Sequence, residues 1–143
     1  AIDFYISVFK NSKKGQQVQY GPGREPDKEG TLMFGEFMIE NTWFTCMDSA
    51  HQHDFNFNEA VSFMVKCDTQ EELDYYTNKL SAVPEAEQCG WVKDKYGVSW
   101  QITPTALDTM MVSSDADAVS RVTQAFLQMK RFDISKLEEA FKG

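Results

Sequence analysis

The sequence predicts an α+β domain made of two similar modules and closed by a helical tail. Three observations carry this prediction. Helix-type and strand-type hydrophobic periods alternate along the 143 residues. A short motif recurs, Ile2-Asp3-Phe4-Tyr5 against Leu73-Asp74-Tyr75-Tyr76. Each copy sits on a helical stretch, and a loop and a hairpin follow whose second strand carries a tryptophan, Trp43 or Trp100. After Pro104 the pattern turns wholly helical. The repeated order is strand, helix, strand, strand, strand. It places a first module in 1–50, a second in 59–105 and a helical C-terminal segment in 106–143, all within one domain with a core of ordinary size.

The elements follow in order. Ile2, Tyr5, Val8 and Phe9 recur at helical spacing, and Asn11, Ser12 and Gly15 end that helix. Ala1 is not an initiator methionine, and the first residues read as the interior of a helix, so the first strand of the first module is expected ahead of Ala1. Gln16 to Tyr20 reads as a short strand. Gly21-Pro22-Gly23-Arg24-Glu25-Pro26 is a loop by composition. It is no phosphate cradle, because no strand-turn-helix context accompanies its glycines. Thr31 to Ile39 and Thr42 to Met47 form a hairpin around Glu40-Asn41, and Asp48 to Asn58 is a polar loop holding both histidines. Val61 to Cys67 is a strand. Asp68 is placed to cap the next helix, with Glu71 three residues on as in a capping box, and Leu73, Tyr76 and Leu80 share a face. Cys89 to Pro104 is a second hairpin around a charged turn. Helices follow at Ala106–Met111, at Asp115–Met129 with Val119, Val122, Phe126 and Met129 inward, and at Ile134–Phe141 with Leu137 and Phe141 on one side.

Composition bounds the function. Hydrophobic residues make up 42% and aromatics 13%, which describes a folded chain with material for a pocket wall. The formal net charge is -8, so phosphate backbones are repelled and no nucleic-acid partner is expected. No apolar run approaches the ~20 residues of a membrane-spanning helix, no signal-peptide pattern is present, and no membrane partner is expected. Cys46, Cys67 and Cys89 are odd in number and form no CxxC pair. Buried, inert thiols in a reducing cytoplasm are the reading for the two in strands.

Five segments together resemble a known family: Phe4 to Ser12, Phe57 to Phe63, Gln70 to Tyr76, Cys89 to Pro104 and Ala125 to Lys130. They are similar to the PhnB-type proteins, a branch of the glyoxalase/bleomycin-resistance/dioxygenase (vicinal oxygen chelate) superfamily that carries the domain label 3-demethylubiquinone-9 3-methyltransferase. The resemblance implies a glyoxalase-like fold of paired βαβββ modules with curled mixed sheets around a cleft, often in a homodimer. In catalytic relatives it implies a divalent metal held by His, Glu or Gln from the first and last strands of each module. Here Gln101 stands where such members carry Glu, Ser62 where His is common, and Trp43-Phe44-Thr45-Cys46-Met47 offers neither carboxylate nor imidazole. No metal ligands are therefore assigned. No glycine-rich strand-to-helix turn for a nucleotide-type cofactor is present, and no cofactor is expected.

The candidate ligand-binding residues are Gln101, Trp100, Trp91, Ser62, Phe44 and His53. Gln101 would orient a small molecule by its amide, with Trp100 and Trp91 as walls. The competing reading is an amide satisfied by its neighbours beside core indoles. Ser62 would hydrogen-bond the ligand and is no nucleophile, lacking a visible partner base. His51-Gln52-His53-Asp54 completes no zinc motif, and His53 is expected at a cleft mouth. Asp94 and Lys95 read as a solvated turn. No catalytic residue is assigned. The leading reading is small-molecule binding in a cytoplasmic homodimer without a standard metal site. A divergent metal-dependent lyase or isomerase, a methyltransferase, and a non-catalytic interaction dimer are the alternatives.

Overall fold

The computed structural model describes all 143 residues, Ala1–Gly143. They divide into two compact units, Ala1–Asn56 and Phe57–Gly143.

The first unit opens with α1 (Ile2–Val8), which buries Ile2, Tyr5 and Val8 along one side. Three antiparallel strands follow in the order β1 (Ser12–Gln19), β2 (Leu32–Ile39), β3 (Thr42–Cys46). Along β2 the buried positions are Gly35, Phe37 and Ile39, alternating with half-buried ones. Tyr5 stacks on Phe37 at 5.8 Å between ring centroids, and Phe37 stacks on its cross-strand partner Phe44 at 5.3 Å. This aromatic run fixes α1 to one face of the sheet, each pair contributing about 0.5–1.5 kcal/mol beyond area burial. The opposite face carries Glu36, Met38, Trp43 and Thr45 by strand alternation. The β2–β3 turn is Glu40-Asn41, as expected. Both residues have positive φ, 45° and 66°, the geometry a two-residue hairpin demands. β1 starts four residues earlier than the expected Gln16. Its lysines and glutamines show no apolar alternation, and pairing with β2 makes the strand, with a register shift between Lys14 and Gln17.

The second unit runs β4 (Ser62–Cys67), α2 (Gln70–Leu80), a 3₁₀ turn (Pro84–Ala86), β5 (Trp91–Lys93), β6 (Ser99–Pro104), α3 (Thr105–Met111), α4 (Ala116–Leu127) and α5 (Ile134–Lys142). The sheet is mixed, in the order β4-β6-β5. β4 runs parallel to the central β6, and β5 antiparallel to it. Val92, Trp100, Ile102 and Cys67 share one face and are buried, and α2 packs against all three strands. α2 in turn buries Leu73, Thr77 and Leu80. Its cap lies one residue later than the sequence reading placed it. Thr69 Oγ1 accepts from Glu72 N at 3.2 Å, and Glu72 Oε2 accepts from Asp68 N at 2.9 Å. The Thr69 cap, worth about 1 kcal/mol, is thus joined by a Glu72 carboxylate that reaches back one residue beyond the cap to Asp68 N.

Between α2 and β5 the repeat leads one to expect another strand. Only the 3₁₀ turn and a single bridge, Gln88 to Trp91, are found. Positive φ at Cys89 (49°) and Gly90 (78°) turns the chain away from an extended path. The backbone there is held by the tail instead: Cys89 N donates to Met129 O at 2.9 Å and Gly90 N to Lys130 O at 2.8 Å. A Cβ on Gly90 would lie 2.5 Å from Phe132 Cε2 and 2.6 Å from Ile102 O, so only glycine permits this approach. Gln70 clamps the same tail to α2. Its Nε2 donates to Phe132 O at 3.1 Å and its Oε1 accepts from Ile134 N at 2.9 Å. α4 and α5 pack on each other, and Arg121 donates to Ala140 O and Phe141 O. In α4 the buried residues are Ala118 and Val122, while Val119, Phe126 and Met129 are half-buried. No helix is long and apolar enough to cross a membrane.

Candidate functional site

The face of the second sheet that carries Gln101 is built by strand alternation. From β4 it takes Ser62, Met64 and Lys66, from β6 Ser99, Gln101 and Thr103, and from β5 Trp91 and Lys93. Gln101 lies at the centre, with Met64 as its partner on β4 and Trp91 as its partner on β5. Gln101 Nε2 donates to Ser62 Oγ at 2.8 Å. The expected pair Gln101 and Ser62 therefore meets, and half-buried Trp91 stands beside it.

Trp100 and Phe44 do not join this face. Trp100 neighbours Gln101 on one strand, and successive strand residues point to opposite faces. Its indole is buried, 5.3 Å from the Phe63 ring, with Nε1 donating to Asp94 Oδ2 at 2.8 Å. Phe44 lies on the α1 side of the first sheet, stacked on Phe37. The two repeat tryptophans also differ: Trp43 lies on the face away from α1 and is 52% exposed, whereas Trp100 is in the core. His53 is an exposed loop residue of the first unit. Its Nε2 is 3.1 Å from Ser49 Oγ, and its ring centroid is 4.9 Å from that of Phe55.

Asp94 corrects the sequence reading most sharply. It is 1% exposed, and no solvated turn residue. Its Oδ1 accepts from Tyr96 N at 2.8 Å and Val98 N at 3.1 Å, while Oδ2 takes the Trp100 indole. Asp94 N also donates to Val98 O, and Gly97 N to Asp94 O, with Gly97 at φ 86°. A carboxylate is buried at little cost when three N–H groups replace its water. Its place just before a Gly-containing turn was the only local signal.

Two hydroxyls on the Gln101 face are unusual. Ser99 Oγ and Thr103 Oγ1 are buried and have no hydrogen-bond partner. They flank Gln101 two residues to either side. The two lysines of the same face are ion-paired, Lys93 with Glu59 and Lys66 with Asp108 at 2.6 Å. The Lys93 ammonium holds the Glu59 carboxyl below its usual range. Burial pushes the Cys67 thiol up to about 11, with Glu72 and Asp68 adding to the rise. Burial also raises Cys46. Neither environment activates a nucleophile.

A metal fits these residues poorly. No three His, Cys, Asp or Glu side chains are placed together to hold an ion, and Gln101 and Ser62 supply only neutral oxygens. A nucleotide-type cofactor fits no better. The turn from β4 to α2 is Asp68-Thr69, and β6 runs directly from Pro104 into α3, so neither junction contains a glycine.

Two small open sheets, the helices packed on them and a helical tail define a glyoxalase-like α+β protein. The chain belongs to the 3-demethylubiquinone-9 3-methyltransferase family, whose sequence profile matches residues 1–103. It is similar to a solved structure of the PhnB protein of Bacillus cereus, a candidate 3-demethylubiquinone-9 3-methyltransferase, with 36% identity and a TM-score of 0.62 over 73% of this chain and 88% of that one. A Staphylococcus aureus protein of known structure also matches, at 23% identity and a TM-score of 0.28 over 70% of this chain and 80% of that one. No curated protein matches.

Proposed function

We propose that this PhnB-like chain binds a small organic molecule on the Gln101 face of its second sheet, without a standard glyoxalase metal site. The observation that carries the reading is the Gln101–Ser62 pair. It puts an oriented amide between Met64 and Trp91 at positions where metal-binding relatives are expected to carry a carboxylate and an imidazole. The face is largely polar, with Met64 and Trp91 as its apolar members, and placed polar groups beside an apolar surface are what orient a small ligand. We further read the protein as a cytoplasmic homodimer. The outer strand β4 and the residue before it support an association surface, with Val61, Phe63 and Met64 exposed.

The second reading is an enzyme. The family name favours methyl transfer, and the superfamily favours a metal-dependent lyase or isomerase. Metal analysis of the purified protein, with thermal shifts against divalent ions and S-adenosylmethionine, separates the two. The binding reading expects no stoichiometric metal and no saturable shift. One equivalent of tightly held metal, or saturable stabilisation by S-adenosylmethionine, overturns it.

A further inference from the structure

We infer that the first unit carries a separate site, on the face of its sheet away from α1, that takes the primary ammonium group of a small amine. Trp43 and Glu36 hold the cation, and Lys13 competes with it. The site lies within β1–β3 and does not rest on the reading of the Gln101 face.

The platform is made by a glycine. Trp43 on β3 is the cross-strand partner of Met38 on β2, and Met38 is in turn paired with Lys13 on β1. The indole reaches further than its own neighbour. A Cβ on Gly15, in β1, would lie 2.6 Å from Trp43 Cζ3, so the ring extends across β2 to the far strand. It is still 52% exposed. The same Cβ would lie 2.8 Å from Glu36 Cβ and 3.3 Å from Glu36 Oε2. Indole and carboxylate therefore meet around one point that only a glycine leaves free. Gly15 sits in the register shift between Lys14 and Gln17 and has no positive φ. Space, not backbone conformation, is what requires it there.

Charge selects the ligand. The three strands hold three charged residues, Lys13, Lys14 and Glu36. Lys14 is paired with Asp3 on the α1 side. Glu36 is half-buried, and its carboxylate has neither an ion pair nor a hydrogen bond. A partly desolvated carboxylate beside an open indole favours a cation. The net charge of -8 draws cations toward the molecule. A primary ammonium has three N–H donors. Glu36 accepts one, and the exposed Thr45 hydroxyl, on the cross-strand partner of Glu36, accepts another. The indole face and the Met38 thioether then take the adjoining methylenes. Lys13 shows that the indole already attracts such a group. Its ammonium stands over the Trp43 ring, 5.6 Å from the centroid, and an incoming amine has to displace it.

The test is titration of the full-length, ¹⁵N-labelled protein with n-butylammonium chloride at neutral pH, following the Trp43 indole N–H, which Trp43→Phe assigns. Three comparators change the head group: n-butanol lacks the charge, tetramethylammonium lacks the N–H donors, and butyrate reverses the sign. The expected result is saturable movement of the Trp43 resonance with butylammonium and about ten-fold weaker binding of each comparator, the size of one lost hydrogen bond to a charged group. Glu36→Gln keeps the side-chain size and should weaken butylammonium about ten-fold with its Tm unchanged. Lys13→Gln should tighten it about three-fold, the size of an exposed cation–π contact. A Trp43 resonance that does not move, butanol or butyrate binding as well as butylammonium, or Glu36→Gln without effect overturns the site. Equal or tighter binding of tetramethylammonium overturns the primary ammonium as its ligand. Weaker binding to Lys13→Gln overturns the role of Lys13 as competitor.

Discussion

Replacing Asp94 tests the account of the second hairpin directly. The carboxylate accepts three hydrogen bonds, from Trp100 Nε1, Tyr96 N and Val98 N, in a position 1% exposed. In Asp94→Ala the two turn amides regain water, because Tyr96 is 38% exposed. The Trp100 indole cannot, since the residue is 4% exposed. Its unmet N–H costs about 1–3 kcal/mol, and each lost bond to a charged acceptor about 1.5–3 kcal/mol before water compensates the exposed ones. The sum expected is about 4 kcal/mol, a large part of the stability of an ordinary domain and about 10 °C in Tm. Asp94→Asn should cost about 2 kcal/mol, because it keeps one acceptor but turns an N–H toward either the indole or the turn amides. Urea unfolding followed by far-UV circular dichroism measures both. A double-mutant cycle with Trp100→Phe isolates the indole bond. Asp94→Ala within about 0.5 kcal/mol of the parent, the behaviour of a solvated turn residue, refutes the reasoning.

Three further outcomes are expected. Gly90→Ala puts a methyl 2.5 Å from Phe132 and 2.6 Å from the Ile102 carbonyl at φ 78°, so it should cost about 3 kcal/mol or more, and urea unfolding reads it. Thr69→Ala removes the acceptor for Glu72 N and should cost about 1 kcal/mol, visible as a lower urea midpoint with unchanged slope. Cys67 should resist Ellman's reagent in the native protein at pH 8 and react once unfolded. Because its thiol is raised from 9.0 to about 11 in the fold, the unfolded chain ionises first. The contribution is fully present below pH 9 and is lost as pH rises through 11, so stability should fall across that window in a Cys67-dependent way.

Much of this fold was readable from local pattern. The helical spacing of Ile2, Tyr5 and Val8, the Glu40-Asn41 turn and the second hairpin all lie where residue type and period place them. What escaped depends on pairing across the chain. β1 is strand because β2 is its neighbour, not because Lys13, Lys14, Gln16 and Gln17 alternate. The strand expected after α2 is absent because Met129 and Lys130, some forty residues on, take the N–H groups of Cys89 and Gly90. At the site, Gln101 and Ser62 were legible together, since matching strand positions had singled both out. Trp100 and Phe44 were grouped with them by composition, where the two-residue period of a strand divides them. Asp94 escaped because a charge in a turn reads as surface, and only the distant-facing indole of Trp100 shows that it is not.

The Gln70 clamp bears on the order in which the chain folds during synthesis. The amide of Gln70 holds Phe132 O and Ile134 N, and the N–H groups of Cys89 and Gly90 wait on Met129 and Lys130. A nascent chain that has emerged only as far as β6 has its three strands and α2, but not the tail groups that hold Cys89, Gly90 and Gln70. Until Ile134 has emerged, Gly90 and the N-terminus of α2 lack these tail partners. A premature stop after Leu127 would leave the matched family residues complete and the fold unfinished.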